Sequence, residues 1–252
     1  MRVIALANEK GGVGKTTCTL NLGAALNSLG KKCLLIDLDQ QMALTYSCGI
    51  PADRVKRSIY EVLRGEAKLD AAMWRQQNTN LYAVPGSPKL AGFDVEMSNE
   101  VGSQLLLKEM LSGVNSFDYI LFDCPPSLSM IVVNALTAAR EVFVPMQAEF
   151  LSMHGMARLL EIIERVKQRL NSNIEITGII GTMYDQRRIL NREVIAKVVE
   201  HFPGKILGVI RDCISLAEAP SRCCDILKYR PDSIGAQDFM ALARRVVQME
   251  AN

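Results

Sequence analysis

The sequence predicts an α/β fold in which helices cover both faces of a mainly parallel, twisted sheet. Short apolar runs alternate along the chain with longer stretches whose apolar residues recur at three- and four-residue spacing. Segments that alternate in this way are typical of strand–helix–strand units, in which the strands run parallel. The first apolar run ends in a glycine-rich turn that opens a helical stretch, and ligands of such folds bind at the carboxyl ends of strands.

Seven segments are predicted to be strands, because each is a short run dominated by Val, Ile, Leu or Phe. In chain order they span residues 3–7, 33–36, 81–84, 119–122, 142–145, 176–180 and 205–210. Six segments are predicted to be helices, because their apolar residues fall on one helical face. They span residues 16–29, 104–111, 130–139, 152–170, 191–202 and 235–249. Residues 47–58 and 85–99 are the least periodic, so we expect loops or partner surfaces there.

The composition is that of a single domain. The chain has 252 residues, of which 49% are hydrophobic, and no long Pro-, Gly- or Ser-rich linker divides it, so one domain over residues 1–252 is predicted. The seven cysteines form no CxxC pair and no apolar run is long enough to cross a membrane. We therefore expect reduced thiols and a cytoplasmic protein. The net charge is only +2, but the basic excess lies in the part from residue 158 onward.

The stretch KGGVGKTT, from Lys10 to Thr17, predicts a phosphate-binding turn. A strand that ends in glycines and opens a helix points backbone N–H groups and the positive end of the helix dipole at one spot. Lys15 is placed to reach the outer phosphates of ATP, and the Thr16 hydroxyl to ligate the accompanying Mg²⁺. The alternative is a glycine turn that merely joins strand to helix. The expected nucleotide contacts are Lys10, Gly11, Gly12, Val13, Gly14, Lys15, Thr16 and Thr17.

This turn departs from the usual GxxxxGK[ST] pattern, which would place glycine at position 9, where this chain has Glu9. With its early lysine, KGGVGKT resembles the Walker A motif of the ParA/MinD family of P-loop ATPases. The resemblance covers essentially the full length of the chain. It implies that Lys10 crosses a dimer interface to touch the nucleotide of a second subunit, so Lys10 and Lys15 are both expected to act in catalysis.

Two further predicted strands end in aspartates. The segment DLDQQ at 37–41 follows one of them, and DCPPS at 123–127 follows the other. Asp123 is expected to hold Mg²⁺ near Thr16, whereas Asp39 is expected to orient or activate the attacking water close to the metal, with Asp37 in support. In isolation such aspartates would be helix caps or turn residues. The two segments resemble the family's DLDPQ and DxPPS, although Gln40 replaces the proline.

The resemblance also covers the stretch TMYD at 182–185 and EAPS at 218–221. In the ParA/MinD family the first stretch and the loop before the second flank the adenine base. This implies that Met183, Tyr184 and Asp185 are neighbours of the base. The alternative is that these residues belong to ordinary core and turn, because hydrophobic strand ends are common.

Basic residues in the C-terminal part are candidates for DNA binding. ParA proteins bind DNA without sequence preference as ATP-bound dimers, and lysines and arginines that meet the phosphate backbone release its counterions. The family's Pro-Arg-Asn-x-Arg loop reads RDCIS at 211–215, so two of its arginines are missing. A solvated basic face is the alternative. The candidates are Arg187, Arg188, Arg192, Arg211, Arg222, Lys228 and Arg230.

The resemblance therefore implies a partitioning ATPase that forms a homodimer on ATP, binds double-stranded DNA non-specifically at the nucleoid, and is stimulated by a ParB-like partner. Its cargo would be a chromosome, a plasmid or another large body. A MinD-like membrane positioner is a rival, but the last predicted helix packs Phe239, Leu242, Ala243 and Val246 on one stripe and leaves no spare tail, so we expect no membrane binding. An iron–sulfur ATPase and a metabolic ATPase on the same fold are the remaining alternatives.

Overall fold

A computed structural model of the chain describes residues 1–149 and 152–249. Its centre is one eight-stranded sheet. The strands are β1 (Arg2–Leu6), β2 (Cys33–Asp37), β3 (Trp74–Arg75), β4 (Leu81–Val84), β5 (Tyr119–Asp123), β6 (Glu141–Gln147), β7 (Glu175–Tyr184) and β8 (Ile206–Arg211). Their order across the sheet is β3-β4-β2-β5-β1-β6-β7-β8, and only the short edge strand β3 runs antiparallel to its neighbour. The predicted α/β class with a mainly parallel sheet is confirmed.

The helices lie between the strands in the chain. The long ones occupy the segments in which helical periodicity is strongest, and several short ones lie in the connections. The α-helices are α1 (Lys15–Ser28), α2 (Ala43–Ser47), α3 (Ile59–Leu63), α4 (Leu69–Ala72), α5 (Phe93–Glu96), α6 (Leu106–Met110), α7 (Met130–Ala138), α8 (Ser152–Arg169), α9 (Ile189–His201), α10 (Ile214–Glu218), α11 (Ile226–Tyr229) and α12 (Ile234–Gln248). Short 3₁₀ turns span Ala52–Arg54, Pro88–Gly92 and Ala219–Arg222.

The sheet separates two hydrophobic clusters because successive side chains of a strand point to opposite faces. On β1, Val3 and Ala5 belong to the cluster that contains buried residues of α7, α8 and α9, whereas Ile4 and Leu6 belong to the cluster that contains those of α1 and α12. Helices thus cover both faces, as predicted. The apolar stripe of α12 is buried as expected. No helix among the described residues combines the length and apolarity that a bilayer crossing requires.

Three expectations need correction. The edge strand β3 was not predicted, because its two residues form no apolar run. The helix expected over 104–111 is shorter, since only Leu106–Met110 is helical. Residues 85–99 are not a plain loop: they form a 3₁₀ turn and α5, and Phe93 is completely buried. A segment too short to show helical periodicity can still contribute one large side chain to the core.

The functional residues meet because β2, β5 and β1 are neighbours at the centre of the sheet. The parallel register pairs Asp37 with Asp123 and also pairs Asp123 with Leu6, the last residue of β1, which leads into the glycine-rich turn. The carboxyl ends of these three strands therefore lie side by side. This edge is where ligands of open α/β sheets bind.

Candidate nucleotide-binding site

The glycine-rich turn forms an anion cradle at the start of α1. Gly12 and Gly14 have φ angles of 72° and 86°, which side chains disfavour, and Gly14 is the N-cap of the helix. The first turn of α1 carries no acidic residue. Its backbone N–H groups and the helix dipole are therefore directed at the turn, an arrangement that suits phosphate. The Thr182 hydroxyl donates to the Val13 carbonyl at 2.8 Å and so ties the cradle to β7.

Lys15 is held inside this cradle. Its side chain is buried, and Nζ donates to the backbone carbonyls of Asn8 and Lys10, each at 3.0 Å. Burial lowers the pKa of Lys15, while the nearby carboxyl of Asp123 acts in the opposite direction. A cation that is removed from water gains strongly from a nearby anion. The position therefore suits the charge of a phosphate chain.

A hydroxyl and a carboxyl lie side by side beneath the cradle. Thr16 Oγ1 donates to Asp123 Oδ2 at 2.7 Å, and Thr19 Oγ1 donates to Oδ1 at 3.2 Å. Asp123 is 1% exposed, and burial followed by the charge of Asp37 raises its pKa to about 8. The carboxylate form is thus disfavoured unless a cation lies nearby. Since Mg²⁺ prefers hard oxygen ligands and often uses only one or two from the protein, this pair fits a magnesium ion.

Asp37 holds the loop after β2 through the hydrogen bonds of its carboxylate. Its Oδ2 accepts from the backbone N–H of Thr45 at 2.9 Å and from the Thr45 hydroxyl at 2.6 Å, while Oδ1 accepts from the N–H of Asp39 at 3.1 Å. Burial raises the pKa of Asp37 to about 6, against the effect of these hydrogen bonds. The Thr45 hydroxyl accepts in turn from Gly86 N–H at 2.9 Å. A network of buried groups thus determines the path of the loop.

Asp39 follows in that loop and lines a surface cavity. Its Oδ1 accepts from the N–H of Gln41 at 2.9 Å. The cavity is also lined by Pro126 and Ser127 from the loop after β5 and by Leu90 from the 85–99 segment. The structure therefore brings Thr16 and Asp123 into direct contact and places Asp39 in the neighbouring cavity.

Lys10 stands at the opening of the cradle and is bound by its own subunit. Nζ donates to Gln147 Oε1 at 3.0 Å and pairs with Glu149 Oε2 at 2.9 Å. Glu9, which occupies the position of the missing glycine, pairs with Arg158 of α8 at 2.7 Å. Gln147 and Glu149 were not among the site residues that the sequence predicted. Their position just after the apolar run of β6, at the carboxyl end of a strand, could have indicated them as site residues.

A second cavity, of about 190 Å³, adjoins the cradle on the side of β7 and β8. Met183, one of the residues predicted to be neighbours of the base, lines it and has a φ angle of 51°. Tyr184 and Asp185 do not line this cavity: Tyr184 pairs with Arg211 in the sheet, and Asp185 binds Arg187. The cavity walls are Gly14, Thr17, Cys18, Thr182, Met183, Ile210, Arg211, Asp212, Cys213, Leu216, Ala217 and Phe239.

The family of this chain follows from its known relatives. A family model described as AAA domain matches residues 1–176. The chromosome partitioning protein ParA of Caulobacter vibrioides is 39% identical to this chain, across 99% of the chain and 95% of that protein. The chain belongs to the ParA/Soj family of P-loop ATPases. The family indicated by KGGVGKT is thereby confirmed.

Two further proteins show how far the likeness extends. The chromosome-partitioning ATPase Soj of Treponema pallidum is 39% identical across 98% of this chain and 97% of its own length. The crystal structure of cobyrinic acid a,c-diamide synthase from Mycobacterium smegmatis with bound ADP and magnesium has a TM-score of 0.87 and 33% identity, and the match covers 100% of this chain and 96% of that one. ParA/Soj-like chains therefore share their fold with an enzyme named for amide synthesis.

In this ParA/Soj chain the candidate DNA-binding residues lie in different segments of the fold. Arg187 and Arg188 are exposed and lie 2.9 and 3.7 Å from carboxyl oxygens of Asp185. Arg192 is exposed on the first turn of α9 and donates to the Gln186 carbonyl at 3.3 Å. A second group lies around α11, namely Arg222, Lys228 and Arg230, in which Lys228 Nζ donates to Gln76 at 2.6 Å, close to β3.

Arg211 is held by α12. Its guanidinium forms a bidentate pair with Asp238 of α12, with a shortest distance of 2.6 Å, and its backbone N–H also donates to that carboxylate. It lines the cavity beside the cradle. The guanidinium of Arg211 is thus held by α12, and its role in DNA binding stays a prediction.

The cysteines are dispersed. Cys124 is buried next to Asp123, and burial raises the pKa of its thiol. Cys223 is exposed and Cys224 half-buried. Within the described part of the chain, no group of three His, Cys, Asp or Glu side chains is arranged to hold a metal ion.

Proposed function

We propose that this protein is an ATP-driven partitioning switch. It binds ATP with Mg²⁺, dimerises, binds double-stranded DNA without sequence preference, and hydrolyses ATP when a ParB-like partner stimulates it. The observation that carries the proposal is the Thr16–Asp123 pair, 2.7 Å apart beneath a cradle of backbone N–H groups that also holds the buried ammonium of Lys15. The names of the relatives in Caulobacter vibrioides and Treponema pallidum support the partitioning role.

The residues of the site have separate roles in this proposal. The turn from Gly11 to Gly14 and Lys15 bind the phosphates, and each charge-assisted hydrogen bond contributes about 1.5–3 kcal/mol. Thr16 and Asp123 would hold Mg²⁺, which neutralises phosphate charge when bound. Asp39 orients the attacking water and accepts its proton. Lys10 of one subunit stabilises charge on the nucleotide of the other.

Base recognition is assigned to the cavity that Met183 and Leu216 line. Its walls are largely apolar side chains next to the cradle, which suits a purine ring. Tyr184, the last residue of β7, and Asp185, which follows it, would support this cavity through their backbone. Asp185 contributes by fixing the turn that follows, since its backbone N–H donates to Asn191.

DNA binding is assigned first to Arg187, Arg188 and Arg192, which are exposed within one short segment. Dimerisation would double this patch, and two linked weak contacts bind far more tightly than either alone. ATP would therefore control DNA affinity by controlling the oligomeric state. The group at Arg222, Lys228 and Arg230 would add further phosphate contacts. Such a dimer would be cytoplasmic and associated with the nucleoid.

The ATP switch is tested by size measurement with light scattering in the presence of ATP and Mg²⁺. Lys15→Ala should stay monomeric and fail to bind nucleotide, because a buried cation of the cradle is removed. Asp39→Ala should bind ATP and accumulate as a dimer, because only hydrolysis is impaired. A monomeric Asp39→Ala protein that binds no nucleotide would contradict the proposal.

DNA binding is tested by fluorescence anisotropy with an unrelated duplex. We expect binding that requires ATP and weakens with salt, with a log–log slope of about −0.9 per phosphate contacted. Arg187→Ala should weaken binding, whereas the control Arg140→Ala, just before the amino end of β6, should not. Equal affinity with and without ATP would refute the coupling.

A metabolic amide synthase is the second candidate, favoured by the 33% identity to a structure named cobyrinic acid a,c-diamide synthase. Amide synthesis would make ATP turnover depend on a carboxylate substrate and on ammonia or glutamine. Turnover that responds to DNA and a ParB-like protein, and not to glutamine, favours the switch. Sedimentation with liposomes tests the membrane alternative, and an iron assay tests the iron–sulfur alternative.

A further inference from the structure

The ammonium of Lys10 has two acceptors within its own subunit, both contributed by the end of β6. Glu149 Oε2 lies 2.9 Å from Nζ and Gln147 Oε1 lies 3.0 Å from it. The side chains of Lys10 and Glu149 are 34% and 55% exposed, so water and a competing anion can reach the pair. Any contact of Lys10 with a second subunit must first replace these two hydrogen bonds.

Gln147 connects this pair to the rest of the site. Its amide nitrogen Nε2 lies 2.9 Å from Met183 Sδ and 3.4 Å from the Gly12 carbonyl oxygen. Met183 lines the cavity beside the cradle, and Gly12 belongs to the cradle itself. One side chain thus contacts the base cavity, the phosphate turn and Lys10. A change in the base cavity, in the phosphate turn or at Lys10 can therefore shift the amide of Gln147 and weaken its hydrogen bond with the ammonium of Lys10.

We propose that Glu149 and Gln147 are positioning residues that hold Lys10 on its own subunit and so set how much ATP the protein needs to dimerise. The inference rests on the proposed function, because it concerns the step in which Lys10 moves to the second subunit. Glu149 supplies the opposing charge. Gln147 supplies orientation and connects the hold on Lys10 to the base cavity and the cradle.

The structure also sets the size of the effect. An exposed ion pair of this kind contributes little free energy. Its loss should therefore raise the equilibrium constant for the release of one Lys10 by roughly two- to five-fold. A symmetric dimer uses both copies of the same contact, so the two releases multiply. Glu149→Gln should therefore strengthen dimerisation by roughly four- to twenty-five-fold. The difference should shrink at high salt, because salt screens an exposed pair.

The experiment measures the dimer dissociation constant by analytical ultracentrifugation with a non-hydrolysable ATP analogue and Mg²⁺. Wild type is compared with Glu149→Gln and with the control Glu200→Gln, an exposed residue of α9. Glu149→Gln should dimerise at lower protein concentration in low salt and approach wild type in 0.5 M salt, while the control should match wild type throughout. A Tm near that of wild type for both variants shows that the fold is intact.

Three results would overturn the inference, and failure of the proposed function is distinguishable from the other two. If wild type dimerises but Glu149→Gln dimerises equally or more weakly, Glu149 does not restrain Lys10, and the proposed function stands. If wild type does not dimerise at any concentration of analogue, the proposed function fails and the inference fails with it. If Glu149→Gln strengthened dimerisation equally at low and high salt, the inference would also be contradicted, because the proposed restraint on Lys10 is electrostatic.

Discussion

Replacing Asp123 with asparagine should remove much of the pH dependence of stability between pH 6 and 8. The carboxyl of Asp123 is 1% exposed and lies beside Asp37 across the β5–β2 ladder. Burial first and the charge of Asp37 second raise its pKa from 3.8 to about 8. Asparagine has nearly the same shape and can still accept from Thr16, but it carries no charge at any of these pH values.

The direction and size of this change in stability with pH follow from proton linkage. The unfolded carboxyl titrates near 3.8, so above pH 6 it is ionised in the unfolded chain. The folded protein keeps this proton at pH 6 and has lost about half of it at pH 8. Stability from the raised pKa is thus fully present below about pH 4 and is lost as the pH rises through 8. At about 1.4 kcal/mol per proton and pH unit, wild type loses about 2 kcal/mol between pH 6 and 8.

The assay is thermal unfolding followed by circular dichroism, without nucleotide and with EDTA. A loss of about 2 kcal/mol corresponds to a fall in Tm of roughly 5 °C in a domain of this size. Wild type and the control Asp53→Asn, on the exposed turn Ala52–Arg54, should show this fall, and Asp123→Asn a much smaller one. If Tm falls equally between pH 6 and 8 in wild type and in Asp123→Asn, the pH dependence of stability does not come from this carboxyl.

Two other substitutions test the loops around the site. A Cβ at Gly86 would lie 2.9 Å from the Asp39 carbonyl oxygen and 3.0 Å from Asp37 Cγ, so Gly86→Ala should destabilise the protein by about 1–3 kcal/mol and lower kcat for ATP more than ATP affinity. An unchanged Tm and kcat in Gly86→Ala would show that the loop accommodates the added methyl group without strain. Thr182→Val removes the 2.8 Å hydrogen bond to the Val13 carbonyl, which should weaken ATP binding by up to about tenfold in titration calorimetry. An unaltered Kd would show that this bond does not support the cradle.

The family and much of the fold could be read from local sequence. The run VIALA followed by glycines and a lysine predicts a strand, a turn and a helix, because each depends on neighbours along the chain. The structure places β1 and α1 there. The strand that ends at Asp123 was equally clear, and Asp123 accepts a hydrogen bond from Thr16.

Contacts between distant parts of the chain were harder to predict. Lys10 and Gln147 are 137 positions apart, and no local pattern connects them. The same holds for Arg211 and Asp238, which are 27 positions apart and form a bidentate pair. Phe93 is buried although its segment was predicted to be a loop. The short helix α5 is long enough to place one large aromatic ring in the core.

The sequence by itself determined the strand–helix alternation, the phosphate turn and the family, since hydrophobic period and glycine placement act over a few residues. Only the tertiary structure decided which acceptors hold Lys10, which walls enclose the cavity beside the cradle, and how the basic residues divide into groups. These features depend on strand order and register, which bring together side chains from β1, β6, β7 and β8. Strand order results from the packing of the whole sheet and its helices, and no single segment encodes it.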